Sequence, residues 1–275
     1  MAYEQIIYEP GAVARIILNR PNYRNAQSAV LLEEVDAAFT EAENDPSVRV
    51  IVLSGNGTSF SAGHDLGTPE ELAHREATGY DATDRLQRYE HSRHLFLDLT
   101  THWRNIPKPT IAMVQGYCIF GGWMVASAMD IIFAADDALF LPSHFQWFSV
   151  PWDLGARKAK EILYESRFVP AREALDLGFV NRVYPAADLE RETLAYAERV
   201  AENDLHNLRM IKFSVNDALD RQGFSGSINT AHHTFHVNAG AEGRPDQRKV
   251  EGQRQFVGVQ RALERLREQQ AQQQQ

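Results

Sequence analysis

Apolar and polar positions along the chain alternate with two different periods, one typical of strands and one of helices. The run AVARIILNR alternates apolar and polar residues and predicts a half-buried strand at 12–20. Short, continuous apolar runs that end on glycine or at an acidic turn predict fully buried strands. These buried strands are predicted at 48–55, at 109–116 and, as a pair joined by an Asp-Asp turn, at 130–141.

Helical periodicity separates these strands and dominates after Gly155. The amphipathic segment 29–45 predicts a helix that ends near Asn44 and Pro46. Within the polar stretch 67–106 a helix is predicted at 84–104, and another opens at Gly121-Gly122. The remaining predictions are a short strand at 180–185 and helices at 156–166, 170–178, 187–203, 205–220, 226–237 and 247–270.

This order of elements predicts an α/β fold without an internal linker. We divide the chain into a core at 1–205, a helical C-terminal region at 206–268 and a tail at 269–275. The tail REQQAQQQQ is of low complexity, which predicts disorder.

Composition narrows the possible partners and the compartment. The 275 residues carry a net charge of −9, which argues against nucleic-acid binding. No apolar run approaches the roughly 18 residues of a membrane span, and the first residues lack the pattern of a signal peptide. Cys118 is the single cysteine, so no internal disulfide can form. We therefore expect a cytoplasmic protein without a membrane segment.

Two glycine turns are the candidate site of chemistry. SAGHDL follows the buried strand at 48–55, and FGGWM follows the strand at 109–116. Small residues allow the backbone to approach a ligand, and a helix that begins at Gly121 or Gly122 presents unpaired N–H groups. Two such donors that meet at one oxygen would form an oxyanion hole. The alternative is that the glycines only permit tight packing between strand and helix.

Three stretches resemble the enoyl-CoA hydratase/isomerase (crotonase) family. They are VRVIVLSGNGTSFSAGHDL, KPTIAMVQGYCIFGGWMVASAMDIIFAADDALF and AREALDLGFVNRVYP. The resemblance covers roughly residues 5–215. It implies a spiral of ββα repeats with a helical C-terminal trimerisation region, and it implies trimers or hexamers. It also implies acyl-CoA thioester substrates whose enolate or oxyanion is stabilised by two backbone N–H groups, without a cofactor beyond the CoA moiety and without a metal.

The resemblance implies which residues stabilise the thioester oxygen and which residues contact CoA. The main-chain donors would be the N–H of His64 and the N–H of Gly121. The residues implied in contacts with CoA lie in YRNAQ and around SAGHDL, and Arg24 would pair with a CoA phosphate. These residues are Arg24, Ala26, Ser61, Ala62, Asp65 and Leu66.

The chain departs from the family where hydratases carry two catalytic glutamates. Met124 occupies the first position and can only pack, and our alignment puts His144 at the second. Asp153 is our first candidate for proton transfer, because an apolar pocket of tryptophan and phenylalanine would raise its pKa. His144 is the second candidate. Asp153 could instead cap the helix that follows it, and Met124 would close an apolar acyl pocket.

Several other features have a functional and a structural interpretation. His232 and His236 have a spacing that metals can use, but a third ligand is not evident in the sequence. His91 and its neighbours are expected on a solvated helix face that borders the acyl pocket, and Cys118 is expected to be a buried apolar residue.

The leading hypothesis is an acyl-CoA enzyme of the hydratase/isomerase family that passes through an oxyanion held by His64 and Gly121. One acid–base group suffices for isomerisation, retro-aldol or decarboxylative chemistry, whereas hydration ordinarily needs two. The alternatives are an acyl-CoA hydrolase or decarboxylase of the same family, and a CoA-binding homologue without catalysis.

Overall fold

The computed structural model describes residues 3–239, 247–250 and 253–273. Its strands are β1 (Ile6–Glu9), β2 (Val13–Leu18), β3 (Val50–Gly55), β4 (Thr110–Val114), β5 (Tyr117–Ile119), β6 (Ile131–Ala135), β7 (Leu139–Leu141), β8 (Val169–Pro170), β9 (Arg182–Tyr184), β10 (Gln247–Val250) and β11 (Gln253–Phe256).

The helices follow the predicted periodicity in most places. They are α1 (Ala29–Asn44), α2 (Pro69–Thr78), α3 (Arg85–Ser92), α4 (Leu99–Asn105), α5 (Gly121–Ser127), α6 (Val150–Leu154), α7 (Ala156–Glu165), α8 (Ala171–Asp176), α9 (Leu189–Ala201), α10 (Leu205–Arg221), α11 (Phe224–Ala239) and α12 (Val257–Gln273). A π-helical segment at Arg93–Asp98 joins α3 to α4, so the helix predicted at 84–104 is present but irregular.

Six strands form the main sheet in the order β1-β2-β3-β4-β6-β9. β1 and β2 are antiparallel, and all other neighbours in this sheet are parallel. β3 is buried on both faces, which explains its continuous apolar sequence. Alternate residues of β3 pack into two separate cores, Ile51 and Leu53 on one face and Val50 and Val52 on the other.

A second sheet of three strands, in the order β5-β7-β8, lies beside the glycine turns. The predicted pairing within 130–141 is therefore wrong. β6 joins the main sheet between β4 and β9, whereas β7 pairs with β5 and β8. The predicted turn at Asp136 and Asp137 is confirmed, and it sends the chain from one sheet to the other.

The C-terminal region is helical in α10, α11 and α12, but the helix predicted at 247–270 begins only at Val257. The residues before it form the antiparallel pair β10 and β11. α12 continues to Gln273 and thus into the predicted tail, and its Ala262 packs against Ile119 and Phe120. Within the described ranges, no helix has both the length and the apolar character that crossing a membrane requires.

Candidate active site

The two glycine turns lie side by side, the first in the loop after β3 and the second directly after β5. The N–H of Ser61 donates to the carbonyl of Tyr117 at 3.0 Å, and the N–H of Ile119 donates to the carbonyl of Ser61 at 3.0 Å. Gly63 has φ of +87°, and a Cβ atom there would lie 2.6 Å from the carbonyl oxygen of Ile119. Glycine is therefore required at 63 by both backbone conformation and space.

Gly121 is the first residue of α5, so its N–H belongs to the first turn, whose amides have no partner within the helix. The residue before it, Phe120, has φ of 51° and ψ of −99°, a region that non-glycine residues rarely occupy. Phe120 is held there because its N–H donates to Leu141 and its carbonyl accepts from Met124. Such a conformation costs about 1–3 kcal/mol and recurs at functional turns.

His64 and Gly121, the two predicted donors, are neighbours across the turns. A Cβ on Gly121 would lie 2.9 Å from Nδ1 of His64 and 2.2 Å from Oε1 of Gln27, while a Cβ on Gly63 would lie 3.1 Å from the Gly121 nitrogen. Gln27 pairs with the carbonyl of Gly63 and the N–H of Asp65. In a parallel bridge of this kind the N–H of His64 points away from Gln27.

A cavity of about 220 Å³ opens beside His64. It lies between the first glycine turn, the helices from α2 to the π-helical segment, and α11. The polar side chains in its wall include Gln27, His64, Gln146, Glu71, Arg75, Tyr80, Arg88, His91, Ser92 and His236. Leu95, Phe96 and Phe235 also line the cavity, and apolar atoms make up most of the accessible surface of its wall, which is compatible with an acyl chain.

The imidazole of His64 is neutral at physiological pH. Burial lowers its pKa to about 4, and the nearby amide of Gln146 opposes only part of this effect. The ring packs on Phe96 and Phe145, with centroid separations of 4.1 and 5.2 Å. Within the described residues neither ring nitrogen has a hydrogen-bond partner. This environment disfavours an imidazolium and is compatible with a role through the main chain.

Asp153 lies on α6 behind α5 and outside the wall of the cavity. Its Oδ2 accepts hydrogen bonds from Nε1 of Trp123 at 2.9 Å and from Oγ of Ser149 at 2.6 Å. Desolvation raises its pKa to about 6 despite these two bonds, as predicted for an apolar pocket. The suggestion that Asp153 caps the next helix is wrong, because Gly155 is the N-cap of α7 and no side chain caps it.

His144 and Met124 are directed toward neighbouring helices. Nε2 of His144 lies 3.5 Å from the hydroxyl of Thr234 on α11, and its ring lies against Phe148. Met124 packs with Leu97 and other apolar residues in a separate cluster and does not belong to the wall of the cavity. The structure thus brings His64 and Gly121 together but places Asp153 and His144 elsewhere.

The predicted CoA contacts lie along the outer rim of the same turns. Arg24 is exposed, and its guanidinium carbon is 6.0 Å from the centre of the Tyr117 ring. Ala26, Ala62 and Leu66 are half-buried. The N–H of Ala26 donates to the carbonyl of Tyr23, and the N–H of Ala62 donates to the carbonyl of Arg24. Ser61 is buried, and its hydroxyl donates to the carbonyl of Asn25 at 2.8 Å.

Asp65 is also buried, and its carboxylate is bound within the protein. It forms an ion pair with Arg20 at 2.8 Å and accepts hydrogen bonds from Thr68 and Gly67. Burial alone would raise the pKa of Asp65, but the hydrogen bonds from Thr68, Gly67 and Arg20 outweigh it and lower the pKa. The Asp65 side chain therefore fixes the shape of the 64–68 loop.

The sequence analysis missed four residues that shape the site: Arg20, Gln27, Gln146 and Ser92. Gln27 comes directly after the YRNA motif, so its neighbour Ala26 was identified but Gln27 was not. Gln146 lies two residues after His144, the residue aligned with the second glutamate. Cys118 is fully buried, as expected. Within the described residues, no group of three or more metal-binding side chains is arranged to hold a metal ion.

The paired turns of this fold bring the main-chain N–H groups of His64 and Gly121 close together, an arrangement suited to hydrogen bonds with one substrate oxygen. A sequence profile described as enoyl-CoA hydratase/isomerase matches residues 8–257. Protein EchA13 of Mycobacterium tuberculosis, whose name places it among the enoyl-CoA hydratases, is 35% identical over 257 residues, or 86% of this chain and 81% of that protein.

Solved structures support the same assignment. A probable enoyl-CoA hydratase of Mycobacterium smegmatis is 41% identical, with a TM-score of 0.78, over 87% of this chain and 96% of that one. An enoyl-CoA hydratase/isomerase of Xanthobacter autotrophicus Py2 is 32% identical, with a TM-score of 0.79, over 89% of this chain and 90% of that one. The chain belongs to the enoyl-CoA hydratase/isomerase family and has the crotonase fold.

Proposed function

We propose that the protein binds an acyl-CoA thioester and moves a proton on its acyl group through an enolate. The thioester oxygen would receive hydrogen bonds from the N–H groups of His64 and Gly121. The observation that carries the proposal is the contact between the Gly63–His64 turn and Gly121, at the mouth of a cavity that can hold an acyl group. Donors that are already in place stabilise the negative charge without reorganisation.

Proton transfer is favoured over hydration by the residues at the two glutamate positions. Met124 is buried among apolar side chains and cannot orient water. His144 contacts Thr234 instead of the cavity. One acid–base group suffices to remove a proton from the acyl chain and return it, whereas the addition of water ordinarily needs two.

CoA would follow the rim formed by the 24–27 and 61–66 loops. The exposed Arg24 guanidinium can pair with a phosphate, and the half-buried Ala62 and Leu66 would contact the adenosine or pantetheine part of CoA. Asn25 holds this rim in place, because its side chain donates to the carbonyls of Asn56 and Ser59. The proposal needs no metal and no cofactor beyond CoA itself.

The protein is also proposed to form a trimer or a hexamer in the cytoplasm. Helix α10 exposes four apolar side chains, of Met210, Ile211, Phe213 and Val215, which are between 41% and 66% accessible in the single chain. Exposed apolar patches of this kind are typical of subunit interfaces.

The decisive experiment combines calorimetric titration with isotope exchange. Titration of the protein with CoA thioesters is expected to show binding, and protons on the carbon next to the thioester are expected to exchange with deuterium oxide. Binding without exchange, turnover or release of free CoA over a broad thioester panel would favour the inactive homologue. Release of free CoA without prior exchange would favour the hydrolase.

A further inference from the structure

Ser92 and two histidines form a hydrogen-bonded group beside the cavity. Ser92 is the last residue of α3, and His232 and His236 lie one turn apart on α11. Oγ of Ser92 is 2.9 Å from Nε2 of His236 and 3.3 Å from Nε2 of His232. A hydroxyl between two imidazoles can donate to one and accept from the other.

The direction of these bonds follows from the burial of His232. This residue is completely buried, and within the described residues its Nδ1 has no hydrogen-bond partner. Buried N–H groups without a partner are rare, so the proton belongs on Nε2, which then donates to Ser92. The Ser92 hydroxyl is left to donate to Nε2 of His236. His236 therefore holds a free electron pair that can take the proton of Ser92.

The group faces the same space as the predicted oxyanion hole. Ser92 and His236 both belong to the wall of the cavity that His64 lines. Phe96 follows Ser92 by one helical turn and contacts the His64 ring, and Phe235, next to His236, packs on Phe145, which also contacts His64. A thioester held at His64 would place the carbon next to its carbonyl in the space that Ser92 and His236 also line.

We propose that Ser92 and His236 form the acid–base unit of this enzyme, with His232 as a positioning residue; this rests on the proposed function. In the forward step the C–H bond on the carbon next to the thioester carbonyl breaks and its proton joins Oγ of Ser92, while the Ser92 hydroxyl proton passes to Nε2 of His236. The electron pair of the C–H bond moves into the thioester, whose oxygen becomes the enolate oxygen. The reverse transfer returns a proton to carbon and regenerates both residues.

The surroundings of His236 keep its imidazole unprotonated before the reaction. Arg88 and Tyr89 face it from α3, and His232 and His233 face it from its own helix. Burial, followed by the charges of Arg88 and His233, lowers its pKa, so the imidazole is neutral at pH 7. Glu71, Arg75, Tyr80 and His91 share the cavity with it.

The test compares Ser92→Ala and His236→Gln with His206→Gln, a change of the same chemistry at an exposed histidine of α10 that should leave the exchange rate unchanged. Ser92→Ala and His236→Gln are each expected to lower the rate of deuterium exchange about 100-fold or more with little change in KM. The double variant should be no slower than either single one, because the two residues act as a unit. His232→Gln, which keeps an N–H donor, should retain more activity than His232→Leu.

A second measurement is independent of turnover. In protein with nitrogen-isotope-labelled histidine, magnetic resonance should show a proton on Nε2 of His232 and none on Nε2 of His236, and Ser92→Ala should change both signals. The opposite tautomers would overturn the proposal. Exchange in Ser92→Ala and His236→Gln at the wild-type rate would overturn it while leaving the proposed function intact. A wild-type protein that binds thioesters without exchange would overturn both.

Discussion

Gly63→Ala is expected to reduce the kcat/KM of proton exchange by about 100-fold or more, because removal of one oxyanion donor typically costs 2.7–4 kcal/mol. The new methyl group would lie 2.6 Å from the carbonyl oxygen of Ile119 and 3.1 Å from the nitrogen of Gly121. Both atoms are backbone and cannot rotate away. The first turn must therefore move outward and carry the N–H of His64 away from Gly121.

Gly178→Ala is the matched control for this variant. Gly178 has φ of +81°, close to the +87° of Gly63, but nothing lies within 4 Å of the position that its Cβ would occupy. Both variants bear the cost of a left-handed backbone, roughly 1–2 kcal/mol, so both should unfold at lower urea concentration than wild type. Only Gly63→Ala should lose activity. Equal activity in the two variants would contradict the assignment of His64 and Gly121 as donors.

The sequence predicts best where a local pattern determines the structure. β3 is recognisable because both of its faces are covered, which demands a continuous apolar run. α1 is recognisable because its apolar face repeats and because the hydroxyl of Ser28 caps its first turn. The two glycine turns were identified for the same reason, since Gly63 needs both its φ and its space.

Features that depend on distant partners could not be predicted in this way. β6 and β7 are separated by three residues, and only the positions of their partner strands show that they belong to different sheets. Ser92 and His236 are 144 positions apart, and the sequence singles out His236 only for its spacing with His232, without any link to Ser92. Asp153 was identified from nearby aromatic residues, but the sequence did not reveal that Trp123 and Ser149 would donate hydrogen bonds to its carboxylate.

Asp65 could serve either as a contact to CoA or as the partner of Arg20 in a buried ion pair, and a stability measurement distinguishes the two roles. The sequence analysis placed it among the CoA contacts, whereas in the structure its side chain is 1% exposed and bound to Arg20, which is 5% exposed. Removal of one partner leaves a buried charge without compensation, since the Glu70 carboxylate is 3.7 Å away and half exposed. Breaking such a pair typically costs 3–5 kcal/mol.

Asp65→Ala is therefore expected to lower the free energy of unfolding at pH 7 by about 3–5 kcal/mol, as measured by urea denaturation. Asp98→Ala is the control, because Asp98 and Arg93 form an exposed pair at 3.5 Å, and such pairs contribute at most about 1 kcal/mol. A lowered pKa means that the stabilisation by Asp65 is present above its unfolded-state pKa and is lost as the pH falls through its folded-state pKa. The two variants should thus converge toward wild type in strong acid. Unchanged stability of Asp65→Ala, together with weaker CoA binding, would show instead that the carboxylate serves the ligand.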